Sequence, residues 1–91
     1  MTAKHVLLYE PADGVLERAP EHMPAHSALI RDFHARGDIL MVGTFGDPQR
    51  EGSMAIFPTR EAAQAFVAQD PFVVHGLIAR WVLRRWDELL T

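Results

Sequence analysis

Asp70 and His26 are the two side chains in this sequence whose types and placement could do chemistry together. Asp70 stands in Gln69-Asp70-Pro71-Phe72-Val73-Val74-His75-Gly76, where a helical pattern runs in and an extended apolar pattern runs out. A proline disfavours helix for the residue before it, so Asp70 marks where the preceding helix stops. Asp followed by Pro also reads as an N-cap with Pro at the first helical position, which predicts a short turn over Phe72 to His75. A carboxylate so placed does no more than cap, unless a partner reaches it. His26 is the partner the chain offers. An imidazole takes and returns a proton near neutral pH, and a carboxylate beside it orients the ring and stabilises the imidazolium. Such a pair is a general acid–base dyad. No activated nucleophile accompanies it, since Ser27 points about a hundred degrees around a helix from its neighbour. The same two residues also read as a buried hydrogen bond that pins two helix ends together, because buried polar groups need partners whatever else they do.

The elements that must bring them together follow from the pattern. Lys4 to Glu10 is a short apolar run closed by Pro11 and the Asp13-Gly14 turn signal, a first strand. Val15 to Met23, interrupted by Pro20 and ending at Pro24, reads as a loop or loose turn. Pro24 then opens a helix that Gly37 closes, with His26, Leu29, Ile30 and Phe33 at i, i+3, i+4 and i+7. Asp38 to Gly43 is a second strand, Thr44 to Gly52 a polar loop and Ser53 to Phe57 a third strand. Thr59 caps a second helix that runs to Gln69, with Glu61 in its first turn and Ala63, Phe66 and Val67 on one face. Ile78 to Trp86 is a fourth strand and Asp87 to Thr91 a tail.

The order β-α-β-β-α-β predicts an α+β, ferredoxin-like fold: a four-stranded antiparallel sheet with two helices on one face. The first and fourth strands are apolar on both faces. Val6 and Leu8 oppose Leu7 and Tyr9, and Ile78 and Val82 oppose Trp81 and Leu83. A second copy of the sheet is the simplest cover for the open face, so a homodimer packed sheet to sheet is expected. In this topology the start of the first helix and the end of the second lie at one end of the molecule. His26 falls in the first helical turn, where the positive end of the helix dipole favours a neutral ring. Asp70 continues the inward stripe of Phe66 and Val67. A small pocket at that rim, with Tyr9 and Phe72 near it and His75 a further candidate for touching a ligand, would complete a site.

Other candidates are weaker. His22 and His26 have i, i+4 spacing, but Pro24 between them takes His22 out of the expected helix, and no third metal ligand has an obvious place. His34 and His5 read as structural or solvent-facing residues, and Trp81, Trp86 and the methionines as core or interface. Gly43, Gly46 and Gly52 are spaced as turn residues rather than as a phosphate loop. The 91 residues suffice for one domain, 1–91, with a modest core, and 48% hydrophobic content is ordinary for a globular chain. A net charge of -3 gives no basic footprint for nucleic acid. The absence of cysteine fits a reducing cytoplasm. The apolar run at the start is too short for a signal-peptide core or a membrane span.

Taken in order, Pro24-Ala25-His26, Gly37, Ile39 to Gly43, Glu61-Ala62-Ala63, and Asp70-Pro71-Phe72 with Gly76 beyond it resemble the YCII-related (YciI-like) proteins of the dimeric α+β barrel group. The resemblance covers nearly the whole chain. It implies a ferredoxin-like homodimer with an active site built on a His and an Asp, roles that fall on His26 and Asp70. Met23 stands where that family often has Arg, and Thr44 where it often has Pro. Two functional readings follow. In the first, His26 oriented by Asp70 moves a proton on a small cyclic or phenolic compound, in an isomerisation, elimination or dehalogenation without metal or organic cofactor. In the second, the chain is a non-catalytic ligand-binding or accessory dimer.

Overall fold

The computed structural model describes residues 3–90. Its elements are β1 (Ala3–Pro11), α1 (Val15–Ala35), β2 (Met41–Thr44), α2 (Pro48–Glu51), β3 (Ser53–Phe57), α3 (Arg60–Gln69), α4 (Pro71–Val74) and β4 (Ile78–Asp87). The four strands form one antiparallel sheet in the order β2-β3-β1-β4. This is the expected ferredoxin-like α+β fold. Strand pairing fixes the faces, because alternate residues point to opposite sides. Leu7 lies opposite Ala55 and Leu83, and Tyr9 opposite Ser53 and Trp81. From this inner face Leu7, Tyr9, Ala55 and Phe57 join Phe33 of α1 and Ala63, Phe66 and Val67 of α3 in the core. The other face carries Val6 and Leu8 opposite Ile56 and Met54, with Met41 beyond Ile56 and Trp86 opposite Lys4. Met41 and Trp86 are 65% and 50% exposed there.

Local chemistry accounts for most element ends. Thr59 caps α3, its Oγ1 accepting from the Ala62 amide at 3.1 Å. Asp70 ends α3 with an extended backbone and caps the one-turn α4, with Pro71 at its first position. The expected polar loop from Thr44 to Gly52 contains a further helical turn, α2, capped by Asp47 and opened by Pro48. β2 begins at Met41 rather than Asp38, although the Leu40 amide already bonds the Ile56 carbonyl at 2.8 Å. β4 reaches Asp87, so the expected tail is shorter; Thr91 lies outside the described residues.

The principal correction is α1. Val15 to Met23 is helix rather than loop, and α1 runs for 21 residues through both Pro20 and Pro24. A proline inside a helix removes its own bond to the carbonyl four residues earlier. Here both prolines are exposed, so water can solvate the Leu16 and Pro20 carbonyls left without donors. Tertiary contacts then hold the segment: the Arg18 guanidinium donates to the carbonyls of His75 and Gly76. Among the described residues no helix is long and apolar enough to cross a membrane.

Candidate active site

His26 and Asp70 meet, at 2.6 Å between Nδ1 and Oδ1. The register of two antiparallel helices brings this about. Phe33 packs edge-on against Phe66, with ring centroids 5.3 Å apart, and His26 lies about two turns back along α1 from Phe33 while Asp70 lies about one turn on from Phe66. The end of the shorter helix thus abuts the middle of the longer one. His26 is not in a first helical turn, and the dipole of α1, which acts within the first turn, has no hold on it.

Asp70 is fully buried, and donors surround its carboxylate. The Phe72 amide donates to Oδ1 at 3.0 Å, and the Tyr9 hydroxyl donates to Oδ2 at 2.6 Å. Burial, the charge of Asp70 and that hydrogen bond, in that order, push the Tyr9 phenol far above its ordinary range. Tyr9 is therefore a permanent donor. A carboxylate that accepts from Tyr9 and Phe72 also accepts from His26, which places the ring proton on Nδ1 and leaves Nε2 as the basic nitrogen. The ring is held from the side as well, lying parallel to Phe72 with centroids 3.9 Å apart and planes at 3°.

The imidazole borders a cavity of about 660 Å³ between the N-terminal half of α1, the inner face of the sheet and the β2–α2 edge. Val15, Leu16, Ala19, Pro20 and Met23 form its α1 wall. Tyr9 and Phe72, expected near a ligand, both line it, and so does Ser27. His75 does not. Its ring stacks on His22 at 4.2 Å, outside the lining, because α4 turns it toward the flank of α1. The α1 wall was missed because two prolines read as breakers, yet a signal was present. Arg18, His22 and His26 recur every four residues, one helical face, and all three contact the segment from Asp70 to Gly76. Gly52 supports the site from below. Its φ is 82°, and a Cβ there would fall inside the carbonyl oxygen of Tyr9. Among the described residues no three His, Cys, Asp or Glu side chains cluster as a metal site requires.

Several solved structures share this architecture. TftG, a 5-chloro-2-hydroxyhydroquinone dehydrochlorinase from Burkholderia phenoliruptrix AC1100 in complex with 2,5-dihydroxybenzoquinone, is 25% identical, with a TM-score of 0.72 over 92% of this chain and 93% of its own. An EthD family protein from Bacillus halodurans C-125 is 16% identical, with a TM-score of 0.54 over 98% of this chain and 100% of its own. A hypothetical Arabidopsis thaliana protein is 18% identical, with a TM-score of 0.54 over 99% and 90%. The last two likenesses concern the fold alone. No match was found among functionally curated proteins. A model of the YCII-related domain matches residues 3–87, nearly the whole chain, and the protein belongs to the YCII-related family.

Proposed function

We propose that this chain is an enzyme in which His26 moves a proton on a small cyclic or phenolic compound, in an isomerisation, a lyase-type elimination or a dehalogenation. The observation that carries the reading is the ring of His26, tethered through Nδ1 to a buried carboxylate at 2.6 Å and bordering an open cavity of about 660 Å³. Nε2 takes a proton from a hydroxyl or an acidic carbon, Asp70 stabilises the imidazolium, and the proton returns to product or water. Tyr9 and the Phe72 amide keep Asp70 in place, and the faces of Tyr9 and Phe72 contact the substrate. Neither metal nor organic cofactor takes part. The likeness to TftG, whose reaction is a dehydrochlorination, supports a chemistry of this kind. The working unit is a homodimer formed through the outer sheet face, where Met41 and Trp86 are exposed beside Val6, Leu8 and Ile56. Its compartment is the cytoplasm.

One observation favours the second reading, a non-catalytic ligand-binding module. Asp70 joins β1, α1 and α4 through three hydrogen bonds, which is what a purely structural pin would also do. The two readings separate on His26→Ala. A panel of hydroxylated and chlorinated quinols is followed for chloride release and for solvent deuterium uptake, in wild type and variant. A fall of about 10²–10⁴-fold in a folded variant is expected of a lost acid–base group. Turnover that persists in His26→Ala sinks the catalytic reading.

A further inference from the structure

The cavity under α1 is large and bears no formal charge on its walls. A cavity of about 150 Å³ takes benzene, and this one, at about 660 Å³, has roughly four times that volume. No Lys, Arg, Asp or Glu side chain lines it. Its polar lining consists of His26, Tyr9, Ser27, Thr44, Gln49 and Ser53, and the Tyr9 hydroxyl is already committed to Asp70. The one Arg in this half of α1, Arg18, is occupied by the carbonyls of His75 and Gly76. Met23 supplies apolar surface on the α1 wall, one helical turn from His26. Behind His26 stands the buried carboxylate of Asp70, which makes that end of the cavity unfavourable to a second negative charge.

We propose that the ligand is an uncharged, mainly apolar molecule larger than one ring, of two or three fused rings or one ring with an alkyl arm, that presents a hydroxyl or carbonyl oxygen to His26. This rests on reading the cavity as the substrate site. A carboxylate or phosphate entering it would give up its water and find no counter-charge. A neutral ring system exchanges water for apolar wall and leaves one polar atom to be satisfied at the imidazole. Selection therefore works by rejecting anions as much as by attracting the ligand.

Equilibrium binding of phenol, 2-naphthol and 2-naphthoate at pH 7, by ligand fluorescence or calorimetry, tests this. 2-Naphthol binds at least tenfold more tightly than either of the others, and Met23→Arg brings 2-naphthoate binding up by tenfold or more while weakening 2-naphthol. Binding of 2-naphthoate as tight as 2-naphthol, phenol as tight as 2-naphthol, or no binding of 2-naphthol at all overturns the proposal. The same titrations on His26→Ala separate it from the catalytic reading. If 2-naphthol still prefers the cavity over 2-naphthoate but wild type turns over neither the quinol panel nor hydroxylated and chlorinated naphthols, the ligand class stands and the reaction falls. If turnover is found only with charged single-ring compounds, the reaction stands and the ligand class falls.

Discussion

α3 and the N-terminal half of α1 cover the same face of the sheet by opposite means. α3 is 10 residues long and buries Ala62, Ala63, Phe66 and Val67, its Phe66 ring meeting both Phe33 and Phe57. α1 is 21 residues long and buries only Phe33, near its C-terminal end. One helix is seated by apolar packing, and the front half of the other spans a cavity and is held at its flank by Arg18, His22 and His26. Stability is concentrated in the packed half, and the room for a ligand lies in the other. A close-packed half has no room for a ligand, and a half that keeps room must be positioned by directional contacts instead. The His26–Asp70 bond lies on the boundary between the two.

Truncating one residue in each half separates packing from tethering. Phe66→Ala removes a buried aromatic ring from the packed half and costs about 3–5 kcal/mol in urea unfolding. Met23→Ala, on the cavity wall and 43% exposed, costs within about 0.5 kcal/mol. Equal costs would mean that the front of α1 is seated by packing after all.

The same contrast explains what the sequence disclosed. α3 was legible because its burial is written as a stripe, its start as a threonine cap and its end as Asp70-Pro71. The His26–Asp70 pairing was legible because both residues extend apolar stripes that converge. The front of α1 carries a stripe as well, Val15, Ala19 and Met23 at four-residue spacing, but Pro20 and Pro24 interrupt it. Its inward residues, Pro20 among them, face a void, and its anchors are the carbonyls of His75 and Gly76, which the sequence marks only through the four-residue recurrence of Arg18, His22 and His26. His75 is a candidate for the rim by its position at the end of the segment from Asp70 to Gly76, but the turn of α4 carries its ring to His22. α2 was hidden inside a turn-rich loop because one helical turn needs only the Asp47-Pro48 cap.

Gly52→Ala tests the floor on which the two halves meet. A left-handed backbone conformation costs a non-glycine residue about 1–3 kcal/mol, and relieving the overlap with the Tyr9 carbonyl adds a term of about 1–3 kcal/mol. A loss of about 2–6 kcal/mol in thermal or urea unfolding is expected, accompanied by weaker ligand binding because Tyr9 moves. Loss of stability with unchanged binding would show that Gly52 serves the sheet alone.

Tyr9→Phe is a milder change and reports on the Asp70 anchor. It leaves Oδ2 without its donor and costs about 1–3 kcal/mol near neutral pH. The wild type adds a pH signature. Because the Tyr9 phenol is raised in the folded state by burial and by Asp70, the unfolded chain loses this proton first, at the ordinary phenol value of about 10. Its contribution is complete below that value and is lost as pH climbs above it, at up to about 1.4 kcal/mol per pH unit. Tyr9→Phe removes this component, so its alkaline stability profile is flatter than that of wild type above about pH 10. Parallel profiles would mean that the buried phenol does not govern alkaline unfolding.

Pro20→Ala has the smallest expected effect and bears on the least packed element. Alanine restores an amide that can bond the Leu16 carbonyl, and a proline inside a helix is disfavoured against alanine by about 3 kcal/mol. Two terms reduce that figure. Proline restrains the unfolded chain, worth about 0.4–1 kcal/mol in the other direction, and, Pro20 being exposed, water already solvates the freed carbonyl. A net stabilisation of about 1 kcal/mol in urea unfolding is expected, since the side chain gives up little burial. A destabilisation of similar size would show that the Pro20 ring holds the α1 wall against the sheet. The front of the helix would then be packed rather than tethered, and the contrast with α3 would lose its basis.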